Sequence, residues 1–560
     1  MLTLRKCTST YDILMTLCTM LPLARATCPD IPESALCDCQ SRFGFVSIRC
    51  HGEDYHAIID HLNRVNVHKM LRLDIDFLGT ILPMRAFPGF YPKILRVQGN
   101  LLYIERGAFL TVGNSVRSLY LSKNRLSEIG NGSLDGLPSL ETLDLSGNQI
   151  HRVGQRAFEM LTSVWKLDIS HNRLAYLPVG VFDCMQSMVQ LNVASNRLTQ
   201  LEGLFYNLPA IQVLLLANNS IGRMNPGVFQ GLNALRVLQL SYNSVPKLYN
   251  GTFHGLPLLE KLDLSHNIIW SIESGVFQNL IILKELYLQN NKASYVKHGT
   301  FDNLAFLERL DLSHNRIKSI HNGIFYGLYT LRYLDLSHNS MGFLEHRAFE
   351  HLRKLRELRL DHNRMTALNN DSFSGLVRLT GLWINDNEIH VLPTAAFQVF
   401  PLLELLDVSG NDLNELIKGV LQGLNNLKEF RANNNYIEKI NRGVFTKDHF
   451  SLKSISLSNN SITYLETGAF RSLPNLQEIY LGHNQLKTLY RGVVPTNLGD
   501  IYVIQLKGNP LFCDCSLLWL IVNSRGGISV RDARCESPDN LKGRLFKQVQ
   551  SHQLHCHKPH

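Results

Sequence analysis

Apolar residues recur along this chain in a repeating pattern, L-x-x-L-x-L-x-x-N-x-L, in which an asparagine follows a short alternation of apolar and polar positions. Nearly all successive copies are 24 residues apart, and the exceptions are 23 or 25. An earlier, degenerate copy has Asp76 in the asparagine position. A repeat of this period, sustained over most of the chain, indicates a solenoid in which each copy forms one coil. The asparagines of the clear copies, here called the ladder asparagines, are Asn100, Asn124, Asn148, Asn172, Asn196, Asn219, Asn243, Asn267, Asn291, Asn315, Asn339, Asn363, Asn387, Asn411, Asn435, Asn460, Asn484 and Asn509.

The alternation within each copy predicts a short β-strand. In one copy, Leu143 and Leu145 point into the core while Asp144, between them, faces outward, because successive side chains of a strand lie on opposite faces. Stacking the coils in parallel places these strands in one long sheet, with about 4.8 Å between neighbours.

The asparagine and a phenylalanine complete the predicted core of each coil. A buried asparagine amide both donates and accepts hydrogen bonds, so it satisfies the backbone groups that the bend after the strand leaves unpaired. The phenylalanines are expected to stack as a spine on the convex side. They are Phe109, Phe158, Phe182, Phe229, Phe253, Phe277, Phe301, Phe325, Phe349, Phe373, Phe397, Phe445 and Phe470.

The composition and the amino terminus bear on the class of protein. The net charge of +9 over 560 residues is too small to indicate binding of nucleic acid. Arg5 and Lys6 precede an apolar stretch, and Ala24-Arg25-Ala26 has the form of a cleavage site. These features predict a signal peptide and an oxidising compartment for the mature chain. No later segment has the roughly 18 consecutive apolar residues of a membrane span, so we expect a secreted, extracellular protein.

The cysteines cluster where a solenoid needs caps over its exposed ends. Four of them precede the first repeat and four follow the last, which allows three pairings within each group. Cys184 is left over within the repeats. It is either a free thiol packed beside the phenylalanine spine or a residue that forms an intermolecular disulfide.

From about Thr27 to its end, the chain resembles the extracellular leucine-rich-repeat superfamily, which includes Slit repeats, Toll ectodomains, chaoptin-like adhesion proteins and the acid-labile subunit of growth-factor complexes. The repeats carry this resemblance, together with Cys28-Pro29, the Cys37-x-Cys39 pair and the cap opening at 509–520. The resemblance implies the disulfides Cys513–Cys535 and Cys515–Cys556 and, by analogy at the other end, Cys28–Cys39 and Cys37–Cys50.

The implied fold class is an α/β solenoid, a curved leucine-rich-repeat horseshoe with a parallel sheet on its concave face and a disulfide-bonded cap at each end. The expected organisation is a signal peptide at 1–26, a cysteine-rich cap at 27–66, about 19 repeats at 67–508 and a second cap at 509–560.

Five N-x-S/T sequences predict N-linked glycans on the surface of a secreted protein. They begin at Asn131, Asn218, Asn250, Asn370 and Asn459. Asn218 and Asn459 directly precede ladder asparagines, where the chain geometry is expected to hinder modification.

The sequence contains no recognisable catalytic, phosphate-binding or zinc-protease motif. We therefore expect neither enzyme activity nor a cofactor. A column of histidines stands immediately before ladder asparagines, and His314, His338 and His362 lie on consecutive coils. Their spacing suits a metal site or mutual repulsion on protonation near pH 6, but Ser-His-Asn is also a common form of the repeat, and that interpretation is favoured.

Candidate contacts for a partner are the outward strand residues, which lie two, four and six places before each ladder asparagine. An aromatic residue beside an arginine is typical of interface hot spots. The first patch comprises Tyr333, Glu357, Arg359, Asp361, Trp383 and Asn385. A second, apolar patch comprises Val213 and Leu215 with Val237, and Tyr287 lies between the two along the chain.

These features predict a secreted scaffold that binds another extracellular protein through its concave face, in cell-surface or matrix signalling or adhesion. The alternatives are the ectodomain of a membrane-anchored receptor and an innate-immune pattern-recognition protein. The second cap is basic, which makes sulfated glycans a further candidate partner.

Overall fold

The computed structural model describes residues 37–42, 45–65, 70–394, 396–495, 501–524, 528–530 and 532–554. The chain divides into two compact units, Met1–Asn196 and Arg197–His560. Each unit is a solenoid in which every coil contributes a strand to a parallel sheet, here called the main sheet. The predicted leucine-rich-repeat fold class is confirmed.

In the first unit, the amino-terminal strand pairs antiparallel with the second, and all later pairings of the main sheet are parallel. The main strands are Cys37–Arg42, Phe45–Gly52, Met70–Phe77, Ile94–Gly99, Ser118–Tyr120, Thr142–Asp144, Lys166–Asp168 and Gln190–Asn192. Two further pairs of two-residue strands join neighbouring coils on another side, namely Ile81–Leu82 with Tyr103–Ile104 and Glu128–Ile129 with Arg152–Val153.

The second unit repeats this arrangement with three residues of main strand in every coil. Its main strands are Val213–Leu215, Val237–Gln239, Lys261–Asp263, Glu285–Tyr287, Arg309–Asp311, Tyr333–Asp335, Glu357–Arg359, Gly381–Trp383, Leu405–Asp407, Glu429–Arg431, Ser454–Ser456, Glu478–Tyr480 and Val503–Gln505. The additional short pairs are Lys247–Leu248 with Ser271–Ile272, Lys439–Ile440 with Tyr464–Leu465, and Leu511–Phe512 with Cys535–Ser537.

Turns rather than helices form the second half of the described coils. Within the described ranges there are two α-helices, α1 (Tyr55–Val65) and α2 (Leu518–Asn523), and both lie in the cap regions. Short 3-10 segments occur at Gly113–Ser115, Arg491–Val493, Cys515–Leu517, Phe546–Gln548 and Ser551–Leu554. The described residues therefore contain less helix than the term α/β solenoid implies.

Most ladder asparagines hold successive coils together through the same three contacts, as Asn363 illustrates. Nδ2 of Asn363 donates to the carbonyl oxygens of Leu360 in its own coil and Leu336 in the preceding one, both at 3.0 Å. Its Oδ1 accepts from the backbone N–H of Met341, also at 3.0 Å. Each amide thus pairs three buried backbone groups that the bend would otherwise leave unsatisfied, as predicted.

From the second ladder asparagine onward, the residue before each one takes a left-handed backbone conformation. From Lys123 to Gly508, φ at this position lies between 52° and 73°. Asparagine, aspartate, histidine and glycine tolerate this region better than most residues. The histidine column therefore has a backbone explanation that applies in every coil.

The predicted phenylalanine spine is confirmed. From Phe205 to Phe397, rings of consecutive coils stack with centroids 5.9 to 6.5 Å apart. In the first unit, Tyr55 of α1 packs edge-to-face on Phe87, a spine residue that the sequence analysis did not assign, with centroids 6.3 Å apart. Helix α1 thus covers the exposed end of the spine.

Both caps contain disulfides. Cys37–Cys50 and Cys513–Cys535 pair as predicted. Cys39 and Cys515 are also disulfide-bonded, while their predicted partners, Cys28 and Cys556, lie outside the described residues, as does the predicted signal peptide. In the second cap, Nε1 of Trp519 in α2 donates to the carbonyl oxygen of Leu489 at 2.9 Å and ties the cap to the adjacent coil.

Cys184 is free and exposed, which corrects the expectation of a thiol packed beside the spine. Phe182 and Met185 fill the core positions of this coil, so the side chain of Cys184 lies outside it.

We expect a maleimide to label the native chain at Cys184 without denaturant, and Cys184→Ser to abolish that labelling. Labelling that requires denaturant would contradict the exposed position, and a dimer on a non-reducing gel would identify an intermolecular disulfide.

Candidate functional site

The side chains two, four and six places before each ladder asparagine form what we call the open face of the main sheet. In most strands of the second unit the central residue is buried and the residues on either side are half-buried. All residues of the predicted partner patches lie in the second unit.

Arg359 and Trp383 come together across neighbouring strands, as their positions predict. They are register partners in the sheet, and the guanidinium carbon lies 5.8 Å from the ring centroid. Both side chains are half-buried. Gly381 makes room for the indole, since a Cβ there would lie only 2.6 Å from a Trp383 ring carbon. This glycine supports the patch and was not singled out from the sequence.

Asp361 lies beneath Arg359 and is only 1% exposed. Arg359 donates to Oδ1 of Asp361 from Nε at 3.1 Å and to Oδ2 from a terminal nitrogen at 3.3 Å. Partial burial lowers the pKa of Arg359, but the hydrogen bond and the charge of Asp361 outweigh this and raise it. Asp361 was predicted to contact the partner directly. Because it is buried, its role in the patch is to hold the guanidinium of Arg359 in place.

Tyr333 is paired with a residue that the sequence analysis missed. The guanidinium carbon of Arg309 lies 3.7 Å from the Tyr333 ring centroid, one strand away. The Tyr333 hydroxyl donates to Oδ2 of Asp335 at 2.8 Å. Burial, followed by the charge of Asp335, raises the pKa of Tyr333. Sheet register is the signal that would have found Arg309, because it lies directly opposite Tyr333.

A third pair of this kind involves Tyr287. Nζ of Lys261 lies 4.9 Å from the Tyr287 ring centroid and 2.8 Å from a carboxylate oxygen of Glu285. The Tyr287 hydroxyl donates to Glu285 at 3.0 Å. The hydrogen bond from Lys261 lowers the pKa of Glu285. Lys261 was also missed from the sequence.

The remaining candidates have simpler surroundings. Glu357 is exposed, and Asn385 is half-buried with its amide 2.6 Å from Asp386. Val213 and Leu215 are half-buried, and Val213 pairs in register with Val237. All five predicted glycan acceptors are exposed, and the two that precede ladder asparagines have φ of 54° and 55°.

Three histidines of the column form a continuous stack. The rings of His314, His338 and His362 are 4.0 and 4.1 Å apart between centroids, with interplanar angles of 9° and 14°. Burial, followed by the charges of the two neighbouring histidines, lowers the pKa of His338.

The second cap borders a cavity of about 650 Å³ whose lining mixes charges of both signs. Lys507 and Arg534 line it together with Asp532 and Glu536. Glu536 also forms an ion pair with Lys542 at 2.7 Å, so the described part of this cap is less uniformly basic than its composition indicates.

Among the described residues, no helix is both long enough and apolar enough to cross a membrane.

Known proteins show where this fold occurs. A structure of the Drosophila Toll–Spatzle complex is 19% identical and covers 94% of this chain and 76% of that chain, with a TM-score of 0.70. The Leptospira interrogans LRR protein LIC12759 is 25% identical and covers 73% of this chain and 94% of that chain, with a TM-score of 0.54. The adhesion G protein-coupled receptor A3 of Danio rerio is 34% identical over 63 residues, which are 11% of this chain and only 5% of that receptor.

The family pattern described as Leucine rich repeat matches overlapping stretches that together extend over most of the chain. They are residues 97–150, 114–174, 163–221, 209–269, 257–317, 306–365, 353–413, 425–486 and 450–511. The coils, the ladder asparagines and these matches agree, and the chain belongs to the leucine-rich repeat family.

Proposed function

We propose that this protein is an extracellular scaffold that binds another protein on the open face of the main sheet. The observation that carries the proposal is a series of cation–aromatic pairs on consecutive strands: Lys261 with Tyr287, Arg309 with Tyr333, and Arg359 with Trp383. Arginine, tyrosine and tryptophan are the residues most enriched at interface hot spots.

The pairs are held in place before any partner arrives. Arg359 is fixed by Asp361, Tyr333 by Asp335, and Lys261 by Glu285. Side chains that are already ordered lose little conformational entropy on association. The pairs recur along successive strands of the sheet and give a partner several anchors, which suits a protein surface better than a small molecule.

Two further observations support an extracellular location and a protein ligand. The disulfides in both cap regions suit an oxidising compartment. Toll, which has this fold, assembles with Spatzle, and we extend the use of the fold for binding a ligand to this chain. A membrane-anchored receptor ectodomain and a pattern-recognition protein would use the same face. Full-length transcript sequencing that reveals a downstream membrane span would identify the receptor. Binding on a glycan array would identify the pattern-recognition protein.

An interaction screen of the secreted chain against displayed extracellular proteins tests the proposal. For a partner found in this way, we expect Arg359→Ala with Trp383→Ala to weaken binding at least about thirty-fold, because each truncation removes part of a partly buried hot spot. Biosensor affinities and melting temperatures should be measured together, because truncating Arg359 also leaves the buried carboxylate of Asp361 without its guanidinium partner.

The matched control is Tyr329→Ala with Arg353→Ala, which removes an aromatic residue and an arginine that are exposed outside the main sheet. This control should bind as tightly as the wild type. Equal affinities for the wild type and the open-face variant would refute the assignment of this patch.

A further inference from the structure

The stacked histidines bring nitrogen ligands close to a buried carboxylate. His338 and His362 occupy the same position of consecutive coils, with φ of 52° and 53° and their rings 4.1 Å apart between centroids. Asp361, immediately before His362 in the chain, is almost fully buried beside them. One ligand atom from each of these three residues lies within 4.8 Å of the other two.

We propose that His338, Asp361 and His362 form a binding site for a single divalent transition-metal ion, with Zn²⁺ as the reference ion. Two imidazoles and one carboxylate are a donor set found in zinc sites that keep a fourth position for water. The site shares Asp361 with the partner patch, where this carboxylate also holds Arg359.

The geometry requires the two imidazole rings to turn out of their parallel stack. Ligands about 2.1 Å from a tetrahedral zinc ion lie roughly 3.4 Å from one another, which is closer than the 4.8 Å limit within which the three ligand atoms fall. A histidine nitrogen binds a metal along the plane of its ring, so the two rings, now stacked with an interplanar angle of 14°, must tilt apart by rotation about χ1 and χ2 to direct their nitrogens at a shared point. Main-chain movement is not needed, because the two strands are already hydrogen-bonded neighbours.

The surrounding charges favour a cation. The negative charges of Asp335 and Asp361 both favour positive charge at His338. In addition, Oδ2 of Asp386 lies 3.5 Å from Nε2 of His362. Arg359 is the opposing positive charge, and it already occupies Asp361. Each carboxylate oxygen has two acceptor positions, so Asp361 retains capacity for an ion, although the guanidinium competes with it.

The third histidine of the stack supports the site without supplying a ligand. His314 packs on the far side of His338, with ring centroids 4.0 Å apart. This packing holds the His338 ring from that side in the metal-free chain.

Zinc titration of the full chain against a chromophoric chelator, at pH 7.5 after removal of metals with EDTA, tests the proposal. We expect the wild type to bind one more equivalent of Zn²⁺ than H338N/H362N does, and D361N to bind at that site at least tenfold more weakly. Asparagine preserves the fold because Asn290 and Asn434 occupy the same left-handed position in other coils, with φ of 57° and 53°.

The matched control is H266N/H483N, which replaces histidines at the same position of two other coils and should leave the zinc stoichiometry of the wild type intact. R359Q should bind zinc more tightly than the wild type, because the competing guanidinium is gone. A purely structural histidine stack would not respond in this way. The proposal is overturned if the wild type and H338N/H362N bind equal numbers of zinc ions with equal affinity.

Discussion

Phe301→Ala should lower the free energy of unfolding by about 3 to 5 kcal/mol, the cost typical of truncating a buried phenylalanine. The Phe301 side chain is fully buried, and its ring lies between those of Phe277 and Phe325, with centroids 6.3 Å away on either side. Removing it leaves a cavity between two coils that neighbouring rings cannot fill without breaking their own stacking. Urea denaturation followed by circular dichroism measures the change.

The control is Phe306→Ala, in the turn that follows Phe301 in the chain. The Phe306 side chain is 57% exposed, and its truncation should change the free energy of unfolding by no more than about 0.5 kcal/mol. Comparable losses in the two variants would mean that the spine does not stabilise the solenoid as proposed.

Asn339→Ala should lower the free energy of unfolding by about 3 kcal/mol or more, because an unsatisfied buried polar group costs about 1 to 3 kcal/mol. The substitution leaves three such groups without a partner. Nδ2 donates to the carbonyl oxygens of Leu312 and Leu336, both at 3.0 Å, and Oδ1 accepts from the backbone N–H of Ile317 at 2.9 Å.

Thermal and urea unfolding of this variant should be compared with those of Asn322→Ala, which removes an exposed asparagine from a turn. We expect the latter to unfold as the wild type does. Wild-type stability in Asn339→Ala would show that water or a relaxed backbone satisfies these groups, contrary to the role assigned to the ladder.

The repeat period was sufficient to predict the coil. It identified the buried leucines, the ladder asparagines and the phenylalanine spine, because each of these positions has the same environment in every coil. Local chemistry also accounts for residues such as His338, since the left-handed conformation before each ladder asparagine restricts the residue types found there. The cysteines near the chain ends indicated the caps, and Cys37–Cys50 and Cys513–Cys535 follow the pairing that the family resemblance implies.

The surface was less predictable. Arg359 and Trp383 were identified because an arginine beside an aromatic residue on the next coil is typical of interface hot spots. Arg309 and Lys261 were missed because neither is unusual by itself, and each becomes informative only beside its aromatic partner in the adjacent strand. The exposure of Cys184 depends likewise on how its turn packs, and the repeat pattern does not specify that packing.

The sequence by itself determined the coil, its strand, its core residues and the positions of the caps, because these depend on periodicity and on the local conformational preferences of single residues. Only the tertiary structure decided which side chains of neighbouring coils touch. It buried Asp361 beneath Arg359 and aligned the rings of His338 and His362 beside that carboxylate. The first of these contacts joins residues two positions apart and the second joins residues 24 positions apart, and both depend on which side chains the packed sheet brings together.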